Sequence, residues 1–303
     1  MEKILIENKI KSLINSGVVK RVSIDMINNI NNFELSKDNI VLFRDVLNEY
    51  KQYLKSIDII NYFRDLYLDT LLKSELIDNQ ELEGLDPFVV SMFQCDKYEN
   101  SIDFIVNRGG PINKNDFLKA HQTLLFGTNS LYNDNFSVRD SNVQFVGRKE
   151  NDENVISYIP IDCNDIDDAI SGILNLYNDN SIDNDFDIFI KPFLLHGVIA
   201  GLQCFRDGNT RLARNFQHIK LWKMTKKIDT FKDLELPALY LSKQYLKDRD
   251  KYRSFIKSIA VDTNNSTIND WLKYNLYCLE DGIFDNQKKI ENIAYTLNIK
   301  KPR

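Results

Sequence analysis

Apolar residues recur at helical spacing along most of the chain. Ile40, Val41, Leu42 and Phe43, then Val46, Leu47, Tyr50, Tyr53 and Leu54, gather on one side of a 3.6-residue repeat. Only six prolines interrupt the pattern, so a mainly α fold is expected. Leu76, Ile77 and Leu82 give the segment before Gly84 an apolar face, which predicts a packed helix that Gly84 is suited to end. Alternating positions are confined to Asn142–Gly147 and Val155–Ile161. With the polar run Arg148–Asn154 between them, they predict a single β-hairpin. Residues 1–70 read as an all-helical extension of packed amphipathic helices.

One short stretch departs from this periodicity. Residues 203–214 run Gln-Cys-Phe-Arg-Asp-Gly-Asn-Thr-Arg-Leu-Ala-Arg. Gly208 permits positive φ or close approach to a ligand. Asn209 is a candidate helix N-cap whose amide can donate to a phosphate oxygen. A helix from Thr210 onward would turn its free N–H groups and positive dipole end toward the same anion. Arg211 and Arg214, three apart, share a face and carry forks that suit phosphate oxygens. Asp207 fits such a site if a cation joins it, since Mg²⁺ is held by one or two carboxylates plus substrate phosphates. An ordinary turn followed by a solvated arginine face would use the same residues.

Composition narrows the classes without choosing among them. The 303 residues suit one large domain or a core with an extension, and 43% hydrophobic residues can bury a substantial core. The net charge of −5 gives no global pull toward nucleic acid. Four widely spaced cysteines (Cys95, Cys163, Cys204, Cys278) form no CxxC pair and fit reduced thiols. No apolar run approaches the roughly 18 residues of a membrane span, and the charged start lacks signal-peptide character. A cytoplasmic protein is the expectation.

The 203–214 stretch resembles the signature of Fic-domain proteins, His-x-Phe-x-Asp/Glu-Gly-Asn-Gly-Arg-x-x-Arg. Phe205, Asp207, Gly208, Asn209, Arg211 and Arg214 match it, while Gln203 stands at the His position and Thr210 at the second Gly. The segment from Leu195 and His196 is similar to the usual lead-in. Glu75 to Gly84 resembles the inhibitory-helix motif Ser/Thr-x-x-x-Glu-Gly/Asn, with Asn79 in the Ser/Thr place and Glu83 as the acid. Arg139, Val143–Gly147 and Tyr158–Pro160 resemble the hairpin flap on which a target protein docks. Leu236–Ser242, Tyr252, Asp270 and Trp271 are similar to the helices that follow. The resemblance covers about residues 65–295.

It implies a Fic-type helical core with a hairpin flap. The division would be an extension (1–70), an inhibitory-helix region (71–90), a core (91–260, flap 142–161) and C-terminal helices (261–303). Most characterised members transfer AMP from ATP to a Ser, Thr or Tyr hydroxyl. By position, Asp207 would hold Mg²⁺, and Gly208, Asn209, Thr210 and Arg211 would meet the nucleotide. Arg214 would meet the γ-phosphate or pair with Glu83 when the site is shut. Val146, Gly147, Tyr158 and Ile159 would form the docking flap. The expected partners are ATP or another nucleotide and an unknown target protein. Family members also use such extensions to brace the core or to dimerise, so a homodimer is one expectation. No room remains for the winged-helix domain of longer relatives, and no direct nucleic-acid binding is expected.

The departures set the functional question. Gln203 cannot accept a proton near neutral pH, and losing a positioned base costs a factor of about 10² to 10⁴. His196, seven residues back, lies roughly 10 Å away along a helix axis and reads as a core residue. His121 and His218 receive no role. Thr210 adds a β-branched side chain that would be strained if its position needs positive φ. Cys204 reads as a small apolar filler. Three functions stay open: a slowed nucleotidyl transferase, a nucleotide-binding regulatory module without transfer, and removal of AMP or another phosphate by a positioned water.

Overall fold

The computed structural model describes residues 2–60, 63–84, 102, 104, 105, 110–125, 138–150 and 153–297. Among these it is mainly α-helical with one two-stranded antiparallel sheet. The helices are α1 (Glu2–Asn15), α2 (Asp25–Asn31), α3 (Lys37–Ile59), α4 (Arg64–Glu81) and α5 (Lys114–Leu125). Strands β1 (Val146–Glu150) and β2 (Glu153–Tyr158) follow. Then come α6 (Ile166–Asn178), α7 (Asp187–Leu202), α8 (Asn209–Thr225), α9 (Ser242–Lys247), α10 (Arg249–Val261) and α11 (Asn265–Thr296).

Helices α7 and α8 form the centre. α7 carries Ile188, Phe189, Ile190, Phe193, Leu194, Leu195, Val198 and Ile199 and is buried on every side. A helix apolar all round can only be satisfied inside a protein. α8 follows it back through the core, with Leu212, Phe216, Ile219 and Leu221 buried. The long α11 starts at a capping box, in which Asn264 and Thr267 bond reciprocally to each other's backbone N–H. It packs against α3 and ties to α7 through the Trp271 indole, which donates to the Phe193 carbonyl (2.8 Å).

Helices α2 and α3 share the central core, while Ile10 of α1 packs in a small separate cluster with Val19 and Ile159. Met26 and Ile27 of α2 belong to the same continuous core as α7. A Cβ added at Gly172 would come within 2.4 Å of Ile27, so small residues on α6 admit α2. A boundary at 70/71 falls inside α4, which runs unbroken to Glu81.

The hairpin sits where the sequence places it, but its strands differ. Pairing runs Gly147↔Ile156, Arg148↔Val155, Lys149↔Asn154 and Glu150↔Glu153, so most of the expected polar loop is strand. Backbone pairing does not require apolar side chains, and a two-residue connection suffices for a hairpin. The ladder is irregular between Val146 and Gly147, and Asn142–Phe145 lies outside it. Beyond β2 the chain continues beside the N-terminal segment. Ile159 donates its N–H to the Lys20 carbonyl and accepts from the Val22 N–H, both at 2.9 Å.

Candidate active site

The site is built where α7 gives way to α8. α7 ends at Gln203, whose φ of 55° makes it the one non-glycine residue with positive φ among the described residues. Such a turn is costly for a residue with a Cβ, and three contacts hold it. The Gln203 amide donates to the Ala200 carbonyl (2.6 Å). The Gln203 carbonyl accepts from Arg139 Nε (2.7 Å), and the same guanidinium donates to the Ile161 carbonyl (2.6 Å). Arg139 also donates its backbone N–H to Cys204 (2.9 Å). The root of the flap is thus fastened to the end of α7.

The loop from Phe205 to Asn209 closes on itself. The Asn209 amide accepts from the Phe205 N–H (2.9 Å) and donates to the Phe205 carbonyl (2.8 Å). Its side chain is therefore committed to the loop rather than offered to a ligand. The N-cap position belongs to Gly208, with φ 77° and no side-chain cap, rather than to Asn209. Asp207 Oδ1 accepts from the Gly208 N–H (2.6 Å), and Oδ2 from Arg211 (3.1 Å). The expected strain at Thr210 is absent, because this residue lies inside α8 with φ negative.

His121 on α5 supports this loop from beneath. Its Nε2–H donates to the Asp207 carbonyl (2.8 Å), and its ring stacks on Phe205 with centroids 3.7 Å apart. Burial pulls its pKa down to about 4, so it is neutral under ordinary conditions. No signal in the sequence places α5 under this loop.

Above the loop lies the end of α4. Arg214, fully buried, donates from Nε to Asn79 Oδ1 (2.6 Å) and from a terminal nitrogen to the Asn79 carbonyl (3.1 Å). The same nitrogen reaches Glu83 Oε1 at 2.7 Å, and the other donates to the Tyr252 hydroxyl (3.1 Å). Thr210 Oγ1 donates to the same Glu83 oxygen (2.7 Å). Arg211 meets Gln80 Oε1 at 3.2 Å. Burial alone would raise the Glu83 pKa, but Arg214 and Arg211 together with the two hydrogen bonds outweigh it and hold it near 2. Asn79, Glu83, Arg211 and Arg214 thus lie together.

A cleft of about 240 Å³ opens beside this assembly. Its walls come from the flap (Val146, Gly147, Tyr158), the loop (Gln203, Asp207, Gly208, Thr210), Glu83 and α10 (Tyr252, Arg253, Lys257). Tyr158 lines it but is otherwise buried, its hydroxyl donating to the Ala200 carbonyl (3.3 Å). Ile159 does not reach the cleft. It is 1% exposed, packed with Ile10 and Val19 beneath α1, and so cannot serve as a docking residue.

The other candidates resolve as structural groups. His196 is fully buried, bonded to the Tyr252 hydroxyl (2.9 Å), and burial depresses its pKa. His218 accepts from the Leu241 N–H (3.0 Å), with Nδ1 3.4 Å from Glu75 Oε1. Burial drives the Cys204 thiol up to about 12, as befits a filler. No helix of the described residues is long and apolar enough to cross a membrane.

Comparison with known proteins agrees with this architecture. Residues 111–221 match the model of the Fic/DOC family. A Fic-domain-containing signalling protein from Bacteroides thetaiotaomicron shares the fold with a TM-score of 0.56 at 12% identity, covering 83% of this chain and 97% of its own. A Fic family protein from Desulfovibrio desulfuricans aligns at 13% identity with a TM-score of 0.44, over 84% of this chain and 76% of its own. No curated protein matches the chain. The loop, its two arginines and both central helices fall within the segment that matches the Fic/DOC family model or at its edge.

Proposed function

We propose that this chain binds a nucleoside triphosphate in the cleft beside Asp207 and is blocked from efficient transfer by Gln203 and by Glu83. The observation that carries the reading is the site of the Glu83 carboxylate. It is an anion held by Thr210 Oγ1 and Arg214 at the start of α8, each at 2.7 Å. The N-terminus of a helix favours negative charge, and a terminal phosphate would suit the same donors once Glu83 moves aside.

The remaining residues fit that ligand. The first turn of α8 supplies backbone N–H groups without intrahelical partners. Arg211 and Arg214 supply guanidinium forks. Asp207 is 42% exposed at the cleft, and its two bonded oxygens keep further lone pairs. A single carboxylate suits Mg²⁺ shared with phosphates. Among the described residues no cluster of three or more His, Cys, Asp or Glu is placed to hold a metal alone. A bound ion would offset the phosphate charge there. The flap edge at Val146 and Gly147 would receive a target segment carrying the acceptor hydroxyl.

Transfer needs a group that takes the acceptor proton. By the resemblance Gln203 stands in that place, and its amide, which donates to the Ala200 carbonyl, does not take a proton near neutral pH. The pocket is therefore a nucleotide site with the proton-accepting step removed, expected to act as a slow transferase or as a binding module. The test is transfer of labelled AMP from ATP by four forms: wild type, Gln203→His, Glu83→Gly, and Gln203→His combined with Glu83→Gly. Transfer in the double variant alone is the expected result. Robust labelling by wild type, or no ATP binding by any form, would refute the reading.

A further inference from the structure

Thr210 stands where the family signature has glycine, and its side chain does something glycine cannot. Its hydroxyl and the Arg214 guanidinium, one helical turn apart on α8, converge on one oxygen of Glu83, each at 2.7 Å. We propose that Thr210 is a second latch on the Glu83 lid, holding the carboxylate over the start of α8 until an incoming anion displaces it. The proposal rests on the nucleotide reading for the identity of that anion but not for the latch itself.

The surroundings fit a latch better than a plug. Thr210 takes ordinary helical backbone, so its hydroxyl is presented without strain. Arg214 already commits four hydrogen bonds to Asn79, Tyr252 and Glu83. Asn79 belongs to α4, so the arginine fastens the helix as well as its terminal acid. The Thr210 hydroxyl, by contrast, bonds the lid at the Glu83 carboxylate and not at the body of α4 among the described residues. Removing its hydroxyl should loosen the acid while leaving the helix in place. A hydrogen bond to a charged group in a partly exposed setting corresponds to about a tenfold shift in the open population.

The experiment uses the full chain in two measurements. Amide hydrogen exchange across residues 79–84 is followed without nucleotide in wild type, Thr210→Val and Thr210→Ser. Thr210→Val should speed exchange at Glu83 and Gly84, while Thr210→Ser should stay near wild type. Calorimetric titration with ATP and Mg²⁺ should then show affinity raised about tenfold by Thr210→Val, and no such gain when Glu83→Ala is already present. Unchanged exchange in Thr210→Val would overturn the latch. An affinity gain that persists without Glu83 would also overturn it, because Thr210 would then act by crowding the phosphate. Faster exchange with no ATP binding in any variant would leave the latch standing and refute the nucleotide reading.

Discussion

Arg139 Nε donates to the Gln203 carbonyl at 2.7 Å, joining the root of the flap to the one left-handed non-glycine residue among those described. The same guanidinium serves Ile161 (2.6 Å) and Ser141 (3.3 Å), so three carbonyls depend on it. Lysine has one nitrogen at its tip and cannot reproduce that fork. Arg139→Lys should cost about 1.5–3 kcal/mol, the range for hydrogen bonds to a charged donor in a buried setting. Urea denaturation would measure this. A loss below about 0.5 kcal/mol would mean that the fork does not hold the turn.

Gly208 faces a different constraint. Its φ of 77° disfavours any side chain, and an added Cβ would lie 2.8 Å from Leu125 Cδ2. Left-handed backbone costs about 1–2 kcal/mol and overpacking about 1–3. Gly208→Ala should therefore destabilise by roughly 2–5 kcal/mol. Because part of that cost is the clash, Leu125→Ala in the same chain should cost less than the two substitutions summed. Strict additivity in melting experiments would remove the steric half of the explanation.

The pH dependence of stability should carry the mark of Glu75. This carboxyl is 1% exposed, bonded by Ser242 Oγ (2.5 Å), and burial raises its pKa from 4.5 to about 8. The unfolded chain releases this proton near 4.5, while the folded chain keeps it until about 8. The unfolded state thus binds fewer protons across that window, and stability falls as pH rises through it. Asp78, raised to about 6 chiefly by burial, adds a slope of the same sign. Glu83 works oppositely at acid pH: held near 2, it stabilises above 4.5 and loses that contribution as pH falls toward 2. Glu75→Gln should flatten the decline in denaturation midpoint between pH 5 and 8. A slope equal to wild type would show that this carboxyl is not kept protonated.

Ile159 offers a test of the flap. Buried against Ile10 and Val19, it is a packing residue of the N-terminal segment. Ile159→Ala should cost about 2–4 kcal/mol by opening a cavity. Binding at the cleft, measured well below the melting temperature, should stay close to wild type. A selective loss of ligand or target affinity with stability intact would restore the docking role.

The legible parts of this molecule were those fixed by local spacing. The i, i+3 pair Arg211 and Arg214 and the positive φ at Gly208 follow from local order, whereas the partnership of Glu83 with Arg214, 131 residues apart, is reached only through the resemblance to a known signature. What escaped depended on contacts between distant segments. His121 lies 86 residues from the carbonyl it bonds, and Thr210 reaches 127 residues back to Glu83. Spacing cannot report which helix passes beneath a loop. The Asn209 amide is ambiguous for a related reason: its chemistry suits both a phosphate and its own backbone, and only the folded loop decides between them. The polar ends of the hairpin looked like loop because side-chain pattern is silent about a ladder made by the main chain.

The anchoring of α4 decides how the gate must work. Leu71, Leu72, Leu76 and Leu82 are all at most 5% exposed, and burying each is worth about 1.5–3 kcal/mol. Levering the whole rod away would forfeit about 6–12 kcal/mol from these four side chains, against about 3–6 for the two charge-assisted bonds that Glu83 makes. Access is therefore a matter of loosening the rod's last residues, Glu83 and Gly84, with the architecture behind them standing still.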